Sequence, residues 1–349
     1  MGRKSKNSFV IQGSILAFAG ILVRIIGLIY RIPLTRILGD EGNGYYSTAY
    51  DIYNVLILLS SQSMPLAVSK IVSEKLERRQ YKNAYKIFKG ALFYGAVLGV
   101  SFGLFAFLGA DWLATSVYKS QPAAVALKVL APTLTVACIL GVMRGYFQGM
   151  GNMIPTAISQ VFEQIVNAVV SVGAAYVLFA YGRRIATVLG SKEHYDAAYG
   201  AAGGTLGTSA GALCGLAFII FVFSMFLPKF RKAMRRENKI GKKQPESYRV
   251  IFGILIGTIV PVLMSTTIYN MVSIVDQWLF KNIATIQGYS AADVSEWWGI
   301  FSGKYRVLTN VPISISTALA ASCVPALAAA FAQKDEKQVR SKIGMSMRF

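Results

Sequence analysis

The sequence predicts an all-α fold, a polytopic transmembrane helix bundle, and three observations carry that prediction. Apolar residues fill 54% of the 349 positions, in long runs near 8–38, 44–69, 84–115, 123–148, 153–182, 201–228, 248–283 and 296–333. Runs well beyond about 11 residues call for helices and not for barrel strands. The basic residues follow the loops, with 24 in alternate loops against six on the other side. By the positive-inside rule the N-terminus is cytoplasmic and the chain is a multi-pass protein of the cytoplasmic (inner) membrane. All four tryptophans, Trp112, Trp278, Trp297 and Trp298, fall near outer span ends, where an interfacial aromatic belt belongs.

A net charge of +20 would suggest nucleic acid in a soluble protein. Here the basic runs act as topology signals and contacts to anionic membrane lipids, so no nucleic-acid partner is expected. The first apolar run is too long for a signal-peptide core and no small-residue cleavage pattern follows it, so it is read as retained. Cys138, Cys214 and Cys323 sit inside apolar runs, and His194 is the single histidine. No metal site is expected from such a set.

The first span carries a stripe. Gly13, Ala17, Gly20, Arg24, Gly27 and Arg31 are spaced four, three, four, three and four apart, which places them on one helical face. A face of glycine and guanidinium does not belong in lipid, because an arginine near the bilayer centre costs about 2.5–3.5 kcal/mol even on a lenient insertion scale. Arg24 lies roughly 24 Å along the axis from Ser8, inside a hydrocarbon core of about 30 Å. Arg31 lies further out, where it either joins the same cavity or snorkels to the surface.

The second span has a polar outer half with Asp51 and Asn54 one turn apart, then Pro65 and a charged exit. The third to sixth spans are more uniformly apolar, with Lys128 near an outer end and Glu163 a single acid within the fifth. PKFRKAMRRENKIGKKQPESYR then reads as a basic cytoplasmic connector long enough for a short surface helix. The seventh span carries Asp276, and the eighth repeats the grammar of the second: Arg306 and Asn310 one turn apart, Pro325 in the place of Pro65, and a charged exit. Such repetition is the usual architecture of secondary transporters. The domains are therefore expected at 1–228 for a six-span N-terminal lobe, 229–247 for the linker and 248–349 for a partial C-terminal lobe. Two spans against six predict a sequence truncated after its eighth helix relative to a complete two-lobe transporter.

The expected substrate-binding set is Arg24, Arg31, Asp51, Asn54, Arg306 and Asn310. Guanidinium suits a diphosphate, since its planar fork offers paired donors and stays charged. The competing reading pairs Arg24 or Arg306 with Asp51 in an ion pair that holds the lobes together. Asp276 and Glu163 are the candidates for a coupling cation, Na+ or H+, with a structural hydrogen bond as the alternative for Glu163. No Gly-x4-Gly-Lys-Ser/Thr phosphate loop occurs, and no nucleophile and base stand in a spacing that would suggest an enzyme. No other cofactor is expected.

The stretches RIIGLIYRIPLTRILGDEGNGYY, MPLAVSKIVSE and RGYFQGMGNMIPTAISQVFEQIVN resemble the polysaccharide-biosynthesis exporters of the multidrug/oligosaccharidyl-lipid/polysaccharide (MOP) superfamily, in the group of lipid II flippases and stage V sporulation proteins of Gram-positive bacteria. The resemblance implies a two-lobe MOP-type bundle, alternating access and export of an undecaprenyl-diphosphate-linked sugar, most often lipid II. It also implies that Arg24 and Arg306 line a central cavity and hold the diphosphate. Where the second helix of lipid II flippases bears a cavity arginine, this chain has NVLILLSS from Asn54 to Ser61. Some relatives place a cation site between the seventh helix and a later one, to which Asp276 is placed to contribute. The alternatives are export of a capsule or teichoic lipid-linked oligosaccharide, or a membrane scaffold whose partners are cell-wall or sporulation enzymes.

Overall fold

The computed structural model describes residues 3–189, 195–239, 247–306, 308, 309, 312 and 344, and every regular element among them is helical. α1 (Arg3–Ser60) is two spans joined at a kink, where Gly39 takes φ +67°. That left-handed backbone is free to glycine and costs an L side chain roughly 1 kcal/mol. The spans expected at 8–38 and 44–69 are thus one helix bent over a single residue, and the second of them breaks again. The chain turns over residues 61–63 and resumes as α2 (Met64–Glu77), with Pro65 in the first turn, where a missing N–H costs nothing. Ser61 anchors the break by donating to the Ala137 carbonyl at 2.9 Å.

α3 (Tyr81–Leu108), a short α4 (Ala110–Trp112) and a π-turn at Leu113–Val117 lead into α5 (Ala123–Gly149). α6 (Ile154–Leu189) and α7 (Tyr195–Lys239) complete six crossings. α7 runs past residue 228 to Lys239, so the segment expected as a linker begins as a helical extension. It is held by Phe230, which is buried against Tyr81, Tyr85 and Tyr146. α8 (Tyr248–Ile286) follows, and then α9 (Ala291–Ile300), continued by a π-turn at Phe301–Tyr305. Most of the span expected at 296–333, with Asn310, Cys323 and Pro325, lies outside the described residues. Among the described residues, five helices are long and apolar enough to cross a membrane, the first of them running from Ser14 to Glu77 through the kink and α2.

Columns of glycine weld the first six crossings together. On α7, a Cβ at Gly203, Gly207 or Gly211 would stand 2.4 Å from the Ala174 carbonyl, 2.0 Å from Ser171 Oγ or 2.5 Å from the Glu163 carbonyl, all on α6. On α5, Gly145 and Gly149 meet the Pro65 and Ser69 carbonyls of α2 at 2.7 and 2.8 Å in the same sense. Small residues at four-residue spacing let helix backbones touch, which is how helices associate where lipid offers no hydrophobic drive.

The bundle has two distinguishable ends. One carries the basic loops after α2 and α7, and the other carries the Gly39 kink and the four tryptophans. At the basic end Ile251, Leu255 and Ile259 of α8 are buried in one cluster with α2, α3 and α5 residues, and Lys86 caps the Tyr248 ring at 4.5 Å. At the tryptophan end α8 and α9 dock onto the return half of α1.

Candidate functional site where α9 meets α1

At the tryptophan end two backbones meet with no side chain between them. A Cβ on Gly44 would lie 2.0 Å from the Ser295 carbonyl oxygen, and one on Gly299 would lie 1.9 Å from that of Asp40. α9 therefore rests on residues 40–44 of α1, with Ser290 capping its start by accepting from the Asp293 amide at 3.1 Å. Around this contact Ser120 Oγ and Ser295 Oγ stand 3.4 Å apart, both buried. Asn282 donates to the Val117 carbonyl at 3.3 Å, and Lys304 pairs with Asp40, 2.7 Å from Oδ1.

Inside the seam sits a charged cluster. Asp51, one of the expected site residues, has a side chain only 12% exposed, and Arg306, just after the π-turn that continues α9, reaches it with 3.5 Å from NH1 to Oδ1. Lys281 is wholly buried and donates to Thr48 Oγ1 at 2.6 Å. Gln277, also wholly buried, donates to Asp51 Oδ2 at 3.2 Å and accepts from the Trp298 indole at 2.9 Å. Just outside the spans, the Tyr118 phenol is pushed up to about 12, by burial first and by the Asp51 charge second.

The expected residues divide accordingly. Arg306 and Asp51 come together, the first from the segment after α9 and the second from α1, while Arg31 is half-buried on α1. Arg24 and Asn54 are exposed on α1, Arg24 about two turns, roughly 10 Å, from Arg31 toward the basic end. Gly27 on the stripe lies against α6, where its Cβ would meet Gln164 Nε2 at 3.2 Å, while Gly20 faces open space. The stripe thus packs in part and is open in part. Asn310 falls outside the described residues.

Of the acids read as coupling candidates, Glu163 is held by Arg144 NH2 at 2.6 Å, and Arg144 Nε donates to Ser159 Oγ at 2.9 Å. That pair lies between α5 and α6. Asp276 is exposed on α8. No group of three or more His, Cys, Asp or Glu able to hold a metal ion occurs among the described residues.

Sequence reasoning missed Lys281, placed by hydropathy at a span edge and counted with the outer loop charges. Its spacing from Gln277, one helical turn, was the available signal.

Residues 10–331 match the family described as "Polysaccharide biosynthesis protein". Among curated relatives, stage V sporulation protein B of Bacillus subtilis (strain 168) is 27% identical over 350 residues, covering 99% of this chain and 62% of that protein. Lipid II flippase MurJ of the same organism is 22% identical over 350 residues, covering 98% and 62%. The chain spans about three-fifths of the length of these relatives. Among solved structures, an inward-facing multidrug resistance MATE family transporter of the MOP superfamily aligns with a TM-score of 0.63 at 14% identity, over 97% of this chain and 70% of that one. A MOP superfamily transporter from Pyrococcus furiosus, whose report describes a binding pocket of reverse polarity, aligns at 0.60 and 14% identity, over 100% and 71%. These likenesses show the fold, a MOP-type bundle of membrane-spanning helices.

Proposed function

Since the chain belongs to the polysaccharide biosynthesis protein family, we propose that it works as a flippase for an undecaprenyl-diphosphate-linked cell-wall precursor, with lipid II the first candidate. The observation that carries this reading is the meeting of Arg306, from the segment after α9, with Asp51 of α1, on the helix that also bears Arg24 and Arg31. Guanidiniums outnumber acids among these four residues, a surplus that suits an anionic headgroup and disfavours an organic cation. Arg24, further along α1, extends the basic surface toward the end with the basic loops, which we place in the cytoplasm together with the N-terminus. The headgroup would travel between the lobes while its lipid tail stays in the bilayer, as the lobes rock and expose the cluster to alternate sides. Membrane potential or a Na+ or H+ gradient would drive the cycle. Cell-wall synthesis enzymes that consume the precursor are the partners this role implies.

Complementation of a flippase-depleted strain tests the reading. Arg24→Ala and Arg306→Ala should each abolish growth while membrane abundance stays near normal. Arg→Lys keeps the charge and loses the bidentate fork, so it should restore growth only in part. Near-wild-type growth of both alanine variants at normal abundance would remove diphosphate handling from these residues.

A further inference from the structure

Lys281 has no exposed surface and reaches Thr48 Oγ1, itself fully buried, at 2.6 Å. That hydroxyl gives its own proton to the Gly44 carbonyl at 2.7 Å, so what it offers the lysine is an acceptor lone pair. Among the described residues Thr48 is the one hydrogen-bond partner of Lys281, and no carboxylate stands within ion-pair distance of it. An ammonium carries three donors and a full charge, and shutting it away from water with one hydroxyl for company is costly. A neutral amine needs no countercharge and is served by the same single acceptor. The place therefore suits a lysine without its extra proton.

The cover over Lys281 comes from α9. Trp298 donates from its indole to Gln277 at 2.9 Å and packs on Phe280 with ring centroids 5.6 Å apart, and both residues stand within the turn of α8 that leads to Lys281. Gly44, which accepts from Thr48, is also the residue on which the Ser295 carbonyl of α9 comes to rest. One short chain, Lys281 to Thr48 to Gly44, thus ends at the closest backbone contact between α9 and α1, and lifting α9 brings water to the amine.

We propose that Lys281 is a proton-binding site that governs closure of the tryptophan end: with α9 down on α1 the side chain is a neutral amine, and when α9 lifts, the Nζ lone pair takes a proton from the entering water. On closing, that N–H bond breaks and the proton returns to the water as it leaves. The closed form holds one proton fewer than the open form, so a rise in pH favours closure and a fall opposes it. The other ionisable groups that the packed elements bring here are Asp51 on α1, Arg306 after α9 and Tyr118 before α5. Asp51 is engaged by Arg306 and by Gln277. The guanidinium keeps its charge at any working pH, and Tyr118, pushed up to about 12, keeps its proton. None of this depends on which anion the protein carries.

Distances between spin labels provide the test. In the intact gene product, with Cys138, Cys214 and Cys323 replaced by alanine and the chain's one histidine removed by His194→Gln, labels go on Lys119→Cys and Glu296→Cys. Both positions are exposed, and they flank Ser120 and Ser295 on the two sides of the seam. In lipid nanodiscs the ratio of long to short distances should rise as pH falls from about 9 to about 6, by up to about tenfold per unit, the slope that one proton allows. Lys281→Met should remove that response and hold the short distance throughout. Lys281→Gln, which can still donate to Thr48, serves the same purpose if the methionine variant does not accumulate in the membrane. A ratio independent of pH in the parent protein overturns the inference. So does a response that survives Lys281→Met, including one that Asp51→Asn then abolishes.

Discussion

Lys304 reaches Asp40 across the seam with 2.7 Å between Nζ and Oδ1, on the same residue whose carbonyl oxygen α9 approaches at Gly299. Position and worth are different matters here. The lysine side chain is more than half exposed, and exposed ion pairs contribute about 0–1 kcal/mol. Lys304→Ala should therefore shift thermal unfolding in detergent by no more than a degree or two and leave complementation intact. A large loss would mean that the pair holds the seam by itself.

The glycine contact beside it should be far less tolerant. Gly44→Ala and Gly299→Ala place a methyl carbon 2.0 and 1.9 Å from a carbonyl oxygen of the opposite element, so α9 has to move off α1. In a cysteine-free background carrying Ser120→Cys and Ser295→Cys, each should cut the rate of disulfide crosslinking about tenfold or more, a loss of roughly 1.4 kcal/mol or greater in seam closure. Gly20→Ala, which meets nothing within 4 Å, is the control and should crosslink normally.

Arg144 and Glu163 pair within the first lobe, with the arginine side chain only 13% exposed. Glu163→Gln leaves that guanidinium without its countercharge, and breaking a pair this enclosed costs about 3–5 kcal/mol. The melting temperature should drop sharply, and the double variant Arg144→Met, Glu163→Gln should recover much of it. A coupling role makes the opposite forecast: Glu163→Gln melts normally and fails to transport.

Cysteines at Lys82 and Lys239 should resist an impermeant thiol reagent in intact cells, while one at Tyr289 should react. The contrast follows from the basic residues around the first two and the tryptophans near the third. The reverse labelling pattern would invert the orientation.

Asp51 and Arg306 stood out in the sequence because ionisable residues are rare within apolar helices, and the structure brings the two to 3.5 Å. Lys281 did not, since hydropathy treats a charge at a span end as solvated and contains nothing about the element that will cover it. The helical class was legible from apolar runs, whereas the break at residues 61–63 was not, because two serines and a glutamine lower hydropathy too little to end a span. The glycine columns of α5 and α7 were present in the sequence at their four-residue spacing, yet spacing alone does not tell which neighbour they face. Hydropathy windows also cut α7 short at 228, because the basic residues after it continue a helix whose Phe230 is held by aromatic packing.

At Gly44 and Gly299 the seam is bare main chain against main chain. Interlocked side chains must leave their rotamer wells before two surfaces part, so such joints resist and then yield abruptly. A joint of peptide planes has no such teeth. It comes apart along a smooth path, and what retains it is the hydrogen bonds and ion pairs around it, such as Asn282 to the Val117 carbonyl and Lys304 to Asp40. Mutational tolerance should follow: anything bulkier at the bare positions jams the joint ajar.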